Sequence, residues 1–229
     1  MASGGGNSTR AGTLFIASDG KLWVTGFGNG TLSDSDGVSY TAQAIDGLLA
    51  VYAPDGTLEH FELLGGANND YLNGVAAGED GVYLVGTTES VLTGTGLTAE
   101  RDWFVQKRTD VDTVAWTAQG APTNQDRSSG NDIAVGHDGT VYITGYAGFV
   151  DGSNAKSFVA SLDPTDGSEN YAQVFGQTAR FTASVGIAYS GRDLVIAGST
   201  NGSLDETSPE FGGTDAFLGF LDPTDGSFR

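Results

Sequence analysis

The stretch DIAVGHDGTVYITG at residues 132–145 contains two apolar strings separated by an Asp-Gly pair. Alternating apolar and polar positions, with β-branched and aromatic residues among them, are typical of β-strands. Asp-Gly between two such strings favours a tight hairpin turn, because glycine adopts positive φ without steric cost. The stretch therefore predicts two antiparallel strands joined at Asp138-Gly139.

The same arrangement occurs four times along the chain. The second string of each copy ends in glycine, and these strings are LWVTG at 22–26, VYLVG at 82–86, VYITG at 141–145 and LVIAG at 194–198. An Asp-Gly pair precedes the string in the first three copies, whereas the fourth has Gly191-Arg192-Asp193. A unit of 50 to 60 residues that recurs in this way indicates a repeat architecture.

Two further apolar strings follow in each unit, so each repeat predicts four short strands. The third strings lie at 48–56, 103–111, 158–167 and 217–226, and the fourth strings at 57–65, 113–120 and 169–176. The heptapeptide LDPTDGS occurs between third and fourth strings at 162–168 and again at 221–227. Its proline presets φ and its glycine supplies positive φ, which predicts a hairpin turn, and a calcium loop is the alternative for its two Asp residues.

Four-stranded units with this period predict an all-β fold, a β-propeller of four repeats built from four-stranded antiparallel blades. The predicted domain is 13–229, with blades at about 13–65, 66–122, 123–176 and 177–229, and with residues 1–12 as a flexible lead-in. The first string of each unit is expected to be innermost. The last blade lacks most of its outer strand, so the chain is either a complete ring with a trimmed blade or part of a larger propeller, which we favour.

The order of strings, an apolar strand, Asp-Gly, VYxTG, a loop and FVxxLDPDG, resembles the SBBP-type β-propeller repeat of bacterial secreted and surface proteins. The resemblance extends from about Leu14 to Phe228. It departs from the pattern where the fourth copy lacks Asp-Gly and where the second has RTDVDT at 108–113 in place of a PDG turn. The resemblance implies a propeller and an extracellular or cell-surface protein.

Composition limits the classes of partner. With 29 Asp and Glu against 10 Lys and Arg, the formal net charge is −19, which repels nucleic acid and anionic lipid. No apolar run approaches the length of a membrane span, so membrane insertion is not expected. The chain has no Cys, which excludes disulfides and thiolate metal sites.

The long connections between second and third strands, together with the links between blades, are expected to form one loop face. Such loops on a rigid scaffold commonly bind partners. The acidic residues of this face are the candidate ligand-binding residues, and acidic, oxygen-rich loops suit calcium as a cofactor. They are Asp34, Asp36, Asp70, Asp126, Asp151, Asp205, Glu206 and Glu210.

Catalytic signals are weak. The chain has two histidines, His60 and His137, neither at a recognisable spacing from a nucleophile, and GxSxG is absent.

The recurring Trp23, Tyr83 and Tyr142 predict packing between blades, with an aromatic sugar platform as the alternative.

The expected function is therefore a non-enzymatic extracellular or cell-surface module for binding or scaffolding. Its expected partners are a protein or glycan ligand, or copies of itself through the unpaired edge of Ala216–Leu221. The alternative is a carboxylate-dependent polysaccharide hydrolase or lyase domain.

Overall fold

The strands of the chain follow one another as short antiparallel elements. The computed structural model describes residues 8–34, 36–93, 99–122, 125–148, 155–204 and 212–229. The strands are β1 (Thr9–Ile16), β2 (Leu22–Ser33), β3 (Ser39–Tyr52), β4 (Leu58–Leu64), β5 (Asp70–Gly78), β6 (Gly81–Thr88), β7 (Asp102–Asp110), β8 (Thr113–Gly120), β9 (Arg127–Val135), β10 (Val141–Gly148), β11 (Lys156–Leu162), β12 (Glu169–Phe175), β13 (Thr182–Tyr189), β14 (Leu194–Thr200) and β15 (Asp215–Leu221).

These strands form four antiparallel sheets, the blades, in chain order. Blade 1 is β1-β2-β3-β4, blade 2 is β5-β6-β7-β8, blade 3 is β9-β10-β11-β12, and blade 4 is β13-β14-β15. The fold is therefore all-β and propeller-like, as predicted. In the described part of the chain, no helix is long and apolar enough to cross a membrane.

The first strand of each blade lies against the first strand of the next. β1 contacts β5, β5 contacts β9, and β9 contacts β13. These contacts agree with the prediction that the first apolar string of each repeat is the innermost strand. Within the described residues, no sheet joins blade 4 to blade 1.

The recurring glycines lie opposite a β-bulge in the innermost strand. In blade 3, Thr144 pairs with Asp132 and Gly145 pairs with Gly130, which leaves Asn131 as the extra residue. A Cβ atom on Gly145 would lie 1.8 Å from the carbonyl oxygen of Ser129. The other three glycines of this set meet the same obstacle at 2.0 to 2.1 Å: Gly26, Gly86 and Gly198. A bulge brings the bent strand close to its partner, so only glycine fits at these positions.

The bulged residues also link each blade to the next. Thr13 Oγ1 donates to the carbonyl oxygen of Asn73 at 2.8 Å. Asn73 Nδ2 in turn donates to the carbonyl oxygen of Gly130 at 2.8 Å. Asn131 Nδ2 donates to the carbonyl oxygen of Ser184 at 2.7 Å. The three bonds form a chain of side-chain contacts along the innermost strands.

Apolar side chains fill the space between neighbouring blades. Trp23 packs in the cluster between blades 1 and 2, Tyr83 in that between blades 2 and 3, and Tyr142 in that between blades 3 and 4. All three residues are buried. The recurring aromatics are therefore inter-blade packing residues, as the repeat predicted, because a single sheet cannot bury both of its faces alone.

Two segments differ from the predicted boundaries. β1 begins at Thr9, inside the stretch 1–12 that was expected to be a flexible lead-in, because Thr9 to Ala11 pair with Gly28 to Gly26 of β2. Cross-strand pairing therefore outweighs the low strand propensity of this segment. The stretch 27–45 was expected to be a loop, but β2 and β3 continue as a paired ladder out to Ser33 and Ser39.

Both copies of LDPTDGS form the same turn. Gly167 and Gly226 have φ of 76° and 74°. The Asp163 and Asp222 carboxylates accept hydrogen bonds from the amides of Thr165 and Thr224, at 2.7 and 2.9 Å. These carboxylates satisfy the amides of their own turn, which is the structural role that aspartate commonly has in turns.

Candidate functional site

Side chains on the outer strands hold the third-to-fourth-strand turn of the following blade. Trp116 on β8 donates from Nε1 to the carbonyl oxygen of Pro164 at 3.0 Å. Tyr171 on β12 donates from its hydroxyl to the carbonyl oxygen of Pro223, also at 3.0 Å. At two successive blade junctions, therefore, an aromatic side chain donates a hydrogen bond to the LDPTDGS turn of the following blade.

His60 on β4 takes the corresponding place at the junction of blades 1 and 2. Its Nδ1 lies 2.8 Å from Asp112 Oδ1 and its Nε2 lies 3.1 Å from Glu62 Oε2. Asp112 belongs to the RTDVDT segment, which replaces the PDG turn in blade 2. This histidine therefore bridges two carboxylates at a blade junction, as a structural contact.

The glycine of each LDPTDGS turn lies flat against the ring that holds it. A Cβ atom on Gly167 would lie 2.7 Å from Trp116 Cε3, and one on Gly226 would lie 2.7 Å from Tyr171 Cε2. In blade 1, Gly56 has the same positive φ, 87°, but a Cβ there would have no described atom within 4 Å. The turn of blade 1 is thus formed without a ring against it.

A surface pocket of about 350 Å³ occupies this place in blade 1. Ile16, Leu22 and Tyr52 form its apolar wall, and Pro54 and Gly56 of the turn form its rim. We refer to this pocket, lined by Ile16, Leu22, Tyr52, Pro54 and Gly56, as the Pro54 socket.

The outward face of blade 1 is apolar. Leu14 and Ile16 on β1 are each 66% exposed, and they pair with Val24 and Leu22 of β2. The extended β2–β3 hairpin covers part of the face, where Leu32 packs on Leu48 and Ala50. The part nearest β1 and the Pro54 socket stays open.

The outward face of blade 4 is also apolar. Leu218 is 59% exposed and Phe220 is 47% exposed on β15, and Val185 of β13 is exposed as well. β15 is the last strand of its sheet, and the residues beyond its turn make limited contact with it. Phe228 forms a single bridge to Leu221, and the Arg229 amide donates to the carbonyl oxygen of Phe220 at 3.0 Å.

The predicted acidic residues that the structure describes do not come together into one site. Asp34 is half-buried and its carboxylate accepts hydrogen bonds from the amides of Asp36 and Val38 in the hairpin turn. Asp36 and Asp126 are exposed. Asp151, Asp205, Glu206 and Glu210 lie outside the described residues. Within the described residues, no group of three or more potential metal ligands forms.

Asp70 differs from the other predicted residues that the structure describes, because it is fully buried beside a second carboxylate. Its oxygens accept hydrogen bonds from the Gly66 amide at 2.7 Å, from Thr88 Oγ1 at 2.5 Å and from Ser90 Oγ at 3.0 Å. Asp46 of β3 is the second carboxylate, and it is also buried. Three donors therefore satisfy the carboxylate of Asp70 within the blade junction.

The two carboxylates converge on Gly65. A Cβ atom on Gly65 would lie 2.6 Å from both Asp46 Oδ1 and Asp70 Oδ2. Asp46 Oδ1 is buried without a hydrogen-bond partner, although Oδ2 accepts from the Gln43 amide at 3.3 Å. Burial raises the pKa of Asp46, and the charge of Asp70 raises it further. We refer to Asp46 and Asp70 as the acid pair.

The sequence pattern did not identify Asp46. Its equivalent in blade 2 is Asp102, because Asp46 lies two residues before Leu48 and Asp102 two residues before Phe104, and both apolar residues pair with a recurring glycine. Asp102 accepts hydrogen bonds from the Ala99 amide and from Gln119. An aspartate one or two residues before the apolar third string was the available signal.

No known protein family and no curated protein sequence matches the chain. Among solved structures, the chain is similar to the WD40 domain of Pan2 from Neurospora crassa, with 12% identity and a TM-score of 0.45. The match covers 96% of this chain and 65% of that domain, so the chain spans less than two thirds of the domain's length.

Proposed function

We propose that this protein is a non-enzymatic binding and scaffolding module, and that protein partners, including copies of itself, dock on the outward faces of blades 1 and 4. These two faces expose large apolar side chains to solvent, among them Leu14 and Ile16 on blade 1 and Leu218 and Phe220 on blade 4. Exposed apolar patches of this kind commonly serve interaction.

One observation carries the proposal: each outward face has the same design as a face that is buried inside the molecule. Leu14 pairs with the third residue of LWVTG, and Ile187 pairs with the third residue of LVIAG. Ile187 is only 8% exposed, because it packs on blade 3. The blade 1 face therefore presents to solvent the positions that blade 4 uses to bind its neighbour.

The blade 4 face supports the same conclusion from the opposite side. Leu218 pairs with the fourth residue of LVIAG, and Val159 pairs with the fourth residue of VYITG. Val159 is completely buried against blade 4, in the cluster that contains Ile187. The two outward faces are thus the two complementary halves of one blade–blade interface, which suits head-to-tail association.

Location and cofactor follow from the same proposal. The resemblance of the sequence pattern to SBBP-type repeats and the net charge of −19 support an extracellular or cell-surface setting, where salt screens the repulsion between carboxylates. Calcium is the proposed cofactor, bound between the carboxylates of the acid pair. The support for it is the buried Asp46 Oδ1, which has no hydrogen-bond partner and lies beside the buried, hydrogen-bonded Asp70, because an unpaired buried carboxylate oxygen is costly.

A glycan ligand and the polysaccharide hydrolase or lyase remain the competing proposals. Both would need carboxylates or aromatic rings at an open surface. The acid pair is buried, and the recurring aromatics pack between blades. These positions favour the scaffolding module over the enzyme.

Association is tested by light scattering after size exclusion over a range of protein concentrations. We expect the wild type to associate reversibly, and we expect Leu218→Lys and Ile16→Lys each to abolish association. Val114→Lys is the matched control, because Val114 is an exposed apolar residue on β8, away from both faces. A wild type that stays monomeric at every concentration, or association that survives both lysine variants, would contradict the proposal.

A further inference from the structure

We propose that the Pro54 socket is a binding site for a single aromatic side chain that carries a hydrogen-bond donor, a Trp or Tyr on a β-strand of a partner protein. That the partner is a protein rests on the proposed function, whereas the preference for an aromatic donor follows from contacts within this chain.

The chain contains two filled versions of the same site. At the junction of blades 2 and 3, the Trp116 ring lies on Gly167 and its Nε1 donates to the Pro164 carbonyl. At the junction of blades 3 and 4, the Tyr171 ring lies on Gly226 and its hydroxyl donates to the Pro223 carbonyl. Two different aromatic residues thus make the same pair of contacts, a stacked ring and a donated hydrogen bond.

The Pro54 socket has the elements that receive the ring in those two junctions. Gly56 has positive φ, as Gly167 and Gly226 do. Its turn is one residue shorter, because the Gly56 amide donates to the Ala53 carbonyl three residues back, at 2.9 Å, whereas the Gly167 amide donates to the Asp163 carbonyl four residues back. Pro54 packs on Gly20 of the first hairpin turn, as Pro164 packs on Gly139 in blade 3. The socket is therefore preformed, which lowers the entropic cost of binding.

What the socket lacks is the ring. In the described part of the chain, no donor reaches the Pro54 carbonyl, and no atom lies within 4 Å of a Cβ position on Gly56. The wall of Ile16, Leu22 and Tyr52 offers apolar surface, and the carbonyl offers one acceptor at the rim. This combination favours Trp or Tyr over Phe, because Phe has no donor for the carbonyl.

Small aromatic probes test the site directly. ¹⁵N-labelled protein is titrated with 3-methylindole, with p-cresol and with toluene, and the amide resonances are followed. We expect the amides of Ala53, Asp55 and Gly56 to shift and saturate with 3-methylindole and p-cresol. Toluene should bind about fivefold more weakly than p-cresol, because it fills the pocket without donating to the carbonyl.

Variants separate the socket from unspecific binding of apolar compounds. Ile16→Lys places a charge in the pocket wall at a largely exposed position, and it should abolish the shifts, whereas Val114→Lys should leave them unchanged. Ile16→Gln tests the same contact with a smaller change in side-chain polarity, and the dispersion of the amide resonances shows whether each variant is folded.

The probes bind a monomer, so the socket and the proposed function can fail separately. Loss of self-association with probe binding intact would count against the proposed function and leave the socket proposal standing. Shifts that never saturate near Gly56, equal binding of toluene and p-cresol, or binding that survives in both folded Ile16 variants would overturn the socket.

Discussion

The buried carboxylate of Asp46 has few hydrogen-bond donors around it. Its Oδ1 is buried without a partner, and both burial and the neighbouring Asp70 raise its pKa. A raised pKa in the folded state means that folding favours the protonated form. The contribution of this group to stability is therefore greatest at low pH and is lost as the pH rises through the folded pKa.

We expect Asp46→Asn to stabilise the protein by about 1 kcal/mol at pH 7 in the absence of divalent cations, because the amide removes a buried charge. Calcium should raise the melting temperature of the wild type, at matched ionic strength, more than sodium does, and this difference should vanish in Asp46→Asn. Thermal unfolding measures both effects, with Asp36→Asn as an exposed-carboxylate control. An equal calcium response in the wild type and in Asp46→Asn would exclude the acid pair as the calcium site.

The glycine that ends each second strand is constrained by backbone rather than by side chains. We expect Gly145→Ala to destabilise the protein by about 3 kcal/mol or more, because its Cβ would lie 1.8 Å from the Ser129 carbonyl oxygen. Urea unfolding gives the comparison with Gly186→Ala, where the nearest atom to the new Cβ lies 3.7 Å away. Similar losses in the two variants would show that the bulge can relax around a side chain.

Among the elements, the outer strands couple neighbouring blades through one ring and one hydrogen bond each. Tyr171→Phe keeps the ring on Gly226 and removes only the donor to the Pro223 carbonyl. We expect a loss of about 1 kcal/mol in unfolding free energy. Tyr52→Phe removes the same atom from blade 1 and serves as control. A loss in Tyr52→Phe as large as in Tyr171→Phe would mean that the hydrogen bond at the turn contributes nothing specific.

The elements that sequence alone predicted well are those specified by local pattern. Alternation along LVIAG and the glycine at its end were enough to place β14, and Pro with Gly was enough to place the LDPTDGS turn. The β2–β3 hairpin was missed, because its polar outer half, from Asn29 to Gln43, has little apolar alternation and is held by pairing with the opposite strand. Local propensity does not contain that information.

The candidate site could be predicted only in part, for a related reason. Asp70 was singled out because it lies in a link between blades, but its partner Asp46 lies inside another strand of the preceding blade. The Pro54 socket was not predicted at all, because its lining comes from β1, β2 and the turn after β3. Which residues of neighbouring strands lie next to one another depends on the pairing register, and the residue pattern of a single strand does not specify that register.

For the whole molecule, the net charge of −19 acts against compactness. We expect the melting temperature to rise by a few degrees between 0.1 M and 1 M sodium chloride, because the screening length falls from about 10 Å to about 3 Å. Differential scanning calorimetry measures this rise. The variant Asp36→Asn/Asp126→Asn, which removes two exposed charges, should show a smaller rise. A melting temperature independent of salt would show that the carboxylates are too far apart to repel one another measurably.

The hydrogen bonds from Thr13, Asn73 and Asn131 have a consequence for how such a chain can grow. Each of these side chains donates a hydrogen bond to a main-chain carbonyl oxygen of the following blade. Main-chain carbonyl groups are present in every blade, whatever its side chains are. An in-frame duplication of one unit would therefore insert a blade that both neighbours already accept, and no compensating substitution would have to arise at the same time. The donor itself can change, because blades 2 and 3 use Asn73 and Asn131 whereas blade 1 uses Thr13, which lies one repeat position further along its strand.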